Sequence, residues 1–99
     1  MPLRPTGQRR PNSFEPSPLD HEIAQEMAVS LGRAGRKVEE ALARLREGAG
    51  DRNALLGEAT EAVYAHFIQR ELCGMRRHEG VIRDYDIPRA VLARLGAKS

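Results

Sequence analysis

Ninety-nine residues with a formal net charge of +2 allow one domain at most and give no argument for a polyanion-binding protein. Four aromatics (Phe14, Tyr64, Phe67 and Tyr85) and no Trp leave the core to aliphatic side chains. The single cysteine, Cys73, excludes an internal disulfide and suits a reducing compartment; no uncharged stretch exceeds eight residues, which excludes a membrane-spanning helix.

Residues 1–16 hold four of the six prolines, three arginines and few apolar residues. Proline fixes φ and disfavours helix at the position before it, so this stretch is expected to be an extended, disordered arm. No apolar segment follows its arginines, so a secretory signal is not expected and the chain reads as cytoplasmic. The domain is expected to span 17–99. Ser17 and Pro18 fit an N-cap and first helical position, with Asp20 near the positive helix end.

From Met27 the apolar residues Leu31, Ala34, Val38, Ala41 and Leu45 follow in alternating steps of four and three, the period of a coiled-coil seam. This predicts a first helix of about 30 residues, about 45 Å long at 1.5 Å per residue. Gly48 and Gly50 end it, and Asp51 or Asn53 can cap the next. The second helix carries Leu56, Ala59, Val63 and Phe67 on one face and Ala65, Ile68 and Leu72 nearly opposite. Its second half is therefore apolar on two sides, more than one neighbouring helix covers. Gly74 ends or bends it. A short third helix around Val81, Ile82 and Tyr85 and a fourth beginning at Ile87 and Pro88 and stopping at Gly96 complete an all-α reading. The fold class is a long antiparallel helical hairpin plus two short C-terminal helices, assembled as a dimeric bundle.

Antiparallel pairing across the glycine link keeps the two residue numbers summing to about 99, which sets Tyr64 opposite Gly35 and Phe67 opposite Gly32. Each mid-helix glycine costs roughly 1 kcal/mol relative to Ala, so two of them three residues apart need a cause. One is a notch that receives Tyr64 and Phe67; the other is a break in the helix at 32–35. The same pairing brings the acidic start of the first helix (Asp20, Glu22, Glu26) towards Arg70, Arg76 and Arg77.

His66, Cys73 and His78 form no metal-binding spacing such as H-x-x-x-H or C-x-x-C. Cys73 falls at a helix C-terminus, whose negative end disfavours a thiolate. No catalytic residue, metal ligand or cofactor is assigned, and an enzyme is not expected. Residues 78–95, HEGVIRDYDIPRAVLARL, have the apolar pattern of a helix-turn-helix, with Arg89 and Arg94 outward on the second helix. Asp86 stands where that motif favours Gly, and Ile82 where it favours a small residue. A nucleic-acid binder is therefore the alternative. The leading reading is a non-catalytic interaction or scaffold protein, a homodimer through Ile68, Leu72 and Met75, with an unidentified protein as a further partner.

The stretches LDHEIAQEMAVSLGRAGRKVEEAL and HFIQRELCGMRRHEGVIRDYDIPRAVLARLG resemble a family of short uncharacterised bacterial proteins, over about residues 19–96. The resemblance implies no assigned activity and supplies no catalytic residues.

Overall fold

The computed structural model describes residues 18–98; the expected arm and the Ser17 cap lie outside the described residues. Four helices follow in order: α1 (Pro18–Glu47), α2 (Arg52–Leu72), α3 (Glu79–Asp84) and α4 (Arg89–Lys98). The described residues contain no strand.

α1 runs unbroken for 30 residues through both Gly32 and Gly35, so a break at 32–35 does not occur. It ends at Gly48, whose φ of 66° lies in the left-handed region that favours glycine. Asp51 then caps α2, its carboxylate accepting from the Ala54 N–H at 3.0 Å. α2 stops at Leu72 in a Schellman turn: the Met75 N–H reaches the Arg70 carbonyl and the Gly74 N–H that of Glu71, with Gly74 at φ 91°. The α3 end repeats this geometry with Ile87 on Ile82 and Asp86 on Arg83, and Asp86 takes the left-handed position at φ 54°. α4 does not stop at Gly96 as expected but continues to Lys98. A glycine in an exposed last turn costs only about 1 kcal/mol, too little to end a helix by itself.

The core is aliphatic. Val38, Ala41, Leu42 and Leu45 of α1 meet Leu55, Leu56, Ala59 and Val63 of α2, and Val81, Ile87 and Val91 close the remaining side. Fully burying a Val or Leu contributes roughly 1.5–3 kcal/mol, so these residues carry most of the stability. Polar ties fix the periphery. Arg46 of α1 donates to the Tyr85 and Asp86 carbonyls, holding the α3–α4 turn. Arg44 pairs with Glu58 at 2.8 Å, half-exposed on both sides and therefore worth less than about 1 kcal/mol.

Candidate functional site

The notch is real at one glycine, with different occupants from those expected. A Cβ built on Gly35 would stand 2.6 Å from the Tyr85 hydroxyl and 3.6 Å from His66 Cε1. Gly35 is thus the floor on which Tyr85 rests, with the His66 ring edge-on to it, centroids 5.7 Å apart. Tyr64 is exposed and does not fill this space. Gly32 is exposed, and its nearest neighbour is the far end of Arg36. Phe67 instead stacks on His78, ring centroids 4.1 Å apart and nearly parallel. The expected register is displaced by two to three residues, since Gly35 meets His66 and Arg44 meets Glu58, and Tyr85, the residue that follows α3, fills the space over Gly35.

The return of the chain that places Tyr85 there is set by the polar cluster at the end of α2. Arg70 Nε donates to His78 Nδ1 at 3.1 Å and Arg70 Nη2 to the Arg77 carbonyl at 2.7 Å. A guanidinium only donates, so Nδ1 is the acceptor, and Nε2 carries the proton that His78 shares with Glu71 at 3.0 Å. With Phe67 stacked beneath, Arg70 and Glu71 clasp the connector 73–78 against its own helix. Among the described residues Glu22, Glu26 and Arg76 form no ion pair, and Arg70 is spent on the connector.

His66 is buried at 5% exposure, and its Nδ1 has no hydrogen-bond partner. Burial first, then the Arg70 charge and the neighbouring His78, hold its pKa below the ordinary 6.5. An open cleft of about 680 Å³ passes His66, Arg70, Tyr85, Glu39 and Asp84. Cys73 is half-buried at the α2 C-cap and is not among its lining residues. The cleft therefore does not join the histidine to the thiol.

The two arginines of the helix-turn-helix pattern separate. Arg89 is exposed at the start of α4. Arg94 is half-buried and donates to Asn53 Oδ1 at 2.9 Å, tying α4 to the first turn of α2 instead of facing outward. Asn53 is thus a bracket and not a cap. Asp86 does supply the left-handed turn, so the absence of Gly there is no obstacle to the bend.

The third set is apolar and exposed. Ile68, Leu72 and Met75 stand 40%, 65% and 38% exposed, in line with Tyr64. Sequence reasoning missed a second strip, on the first half of α1: Leu19, Ile23 and Met27 at 63%, 45% and 37%. Their four-residue spacing is visible in the sequence, but of the three only Met27 was assigned to the seam. α2 is nine residues shorter than α1, and every residue from 18 to 29 is exposed.

No curated protein and no solved structure matches the chain. One family model does, over residues 6–99, reaching further into the proline-rich stretch than the resemblance at 19–96. The chain belongs to this family, DUF6665, a family of unknown function.

Proposed function

We propose that the chain is a non-catalytic helical interaction module built on an antiparallel α1–α2 hairpin and working as a homodimer. The observation that carries this is the pair of exposed apolar strips, Leu19–Ile23–Met27 on α1 and Ile68–Leu72–Met75 at the end of α2. The hairpin reading rests on contacts whose residue numbers sum nearly to a constant, Arg44 with Glu58 and Gly35 with His66. A chain with about eighty residues in its helical part buries little core and gains much from sharing apolar surface. A reduced Cys73 suits a cytoplasmic setting.

Leu72→Glu tests the reading, because a carboxylate in an apolar interface is left unpaired. Light scattering after size exclusion is expected to give a dimer for the wild type and a helical monomer for the variant. A dimer that survives Leu72→Glu unchanged would remove that strip from the interface.

The second reading, nucleic-acid binding through 78–95, is favoured by the left-handed Asp86 and weakened by the Asn53 bond of Arg94. It requires duplex binding that weakens steeply with salt.

A further inference from the structure

The apolar face of α1 is longer than the helix that covers it. Ile23 and Met27 stand eighteen residues before Ala41 and Leu45, about five turns at 3.6 residues each. They share the side of α1 that α2 occupies, on a segment α2 does not reach. On α2 the geometry is reversed. Ile68 lies nine residues from the fully buried Ala59, about half a revolution. The Ile68–Leu72 strip therefore points away from α1. Each chain thus presents one strip towards its α2 side and one away from its α1, and a twofold axis perpendicular to the helices turns each to face the other.

Resting on the interaction reading above, we propose that two copies meet about such an axis. The free half of each α1 lies parallel to the other copy's α2, with Leu19, Ile23 and Met27 level with the partner's Tyr64, Ile68 and Leu72. The parallel sense follows from symmetry, since the axis reverses α1 and α2 already runs against its own α1. Both strips repeat every four residues, so one offset of 45 keeps all three pairs level. The second half of α2, apolar on two sides, is then sandwiched between its own α1 and the partner's. Charge selects a second copy as occupant. Residues 18–29 carry Asp20, Glu22 and Glu26 and no Lys or Arg, whereas the connector 73–78 carries Arg76 and Arg77 and no Asp or Glu. The contact is isologous, so it forms twice and leaves neither strip open.

Cross-linking of full-length chains in a Cys73→Ser background tests the arrangement. One preparation carries Ile23→Cys and the other Ile68→Cys; they are mixed, re-equilibrated and treated with a short bismaleimide. A second mixture pairs Leu19→Cys with Leu72→Cys, which the parallel register leaves eight residues, about 12 Å, out of step. The first mixture is expected to link at least tenfold faster than the second. Equal rates, or faster linking in the second, overturn the register. If neither mixture links while the wild type is a dimer, this arrangement falls and the interaction reading stands. A wild type that stays monomeric at tens of micromolar overturns both this arrangement and the homodimer on which it rests.

Discussion

Gly35→Ala separates the two mid-helix glycines and tests the packing of Tyr85 on α1. At either position alanine favours the helix by about 1 kcal/mol. At Gly32 nothing opposes that gain, because a Cβ meets only the end of Arg36 at 3.7 Å. At Gly35 the new carbon would sit 2.6 Å from the Tyr85 hydroxyl, so the phenol must withdraw by most of an ångström from a place it shares with His66. Overpacking of this kind costs about 1–3 kcal/mol, so Gly35→Ala is expected to fall between neutral and about 2 kcal/mol destabilising. Removing the oxygen should reverse the sign. In a Tyr85→Phe background the next ring atom is 3.8 Å away, an ordinary contact, and Gly35→Ala should then stabilise by up to about 1 kcal/mol. Urea unfolding of the wild type, both single variants and the double variant, at one protein concentration, gives the coupling directly. The reasoning is refuted if Gly35→Ala and Gly32→Ala stabilise equally with Tyr85 intact.

His66 makes stability depend on pH. Its pKa is lowered in the folded chain, so as pH falls through about 6.5 the unfolded state takes up the proton first and stability declines with acid. Between pH 7 and 5, His66→Gln should lose part of this decline in the urea midpoint; parallel profiles would assign the decline to other groups. Asp86 holds a left-handed φ that L residues adopt at a cost, so Asp86→Gly should raise stability by up to about 1 kcal/mol while Arg46 keeps its carbonyl bonds. A loss in thermal or urea unfolding would mean that the Asp86 side chain contributes more than its strain costs.

The end of α1 and both ends of α2 were legible because their signals are local, whereas Gly96 misled for the end of α4. The three-four step, the left-handed Gly48, the Asp51 cap and the Gly74 turn each act within a few residues of the chain. The occupant of the Gly35 notch was not legible. It depends on the direction in which 73–78 returns, and that direction is set by Arg70, Glu71, Phe67 and His78 acting together. Each of these reads singly as a surface charge or a core aromatic. Arg94 was misjudged for a related reason: helix phase alone put it outward, whereas α4 crosses the first turn of α2, where Asn53 waits. The α1 strip was hidden by the regularity of its own pattern, since a seam looks the same in sequence whether or not a partner helix is long enough to cover it.

The claim on which the rest depends is that these strips are shared between two copies. Sedimentation equilibrium of the full chain at micromolar concentration measures it most directly. The account predicts a single species of twice the 11.0 kDa chain mass, dissociating on dilution. A well-folded monomer across the whole concentration range would contradict it.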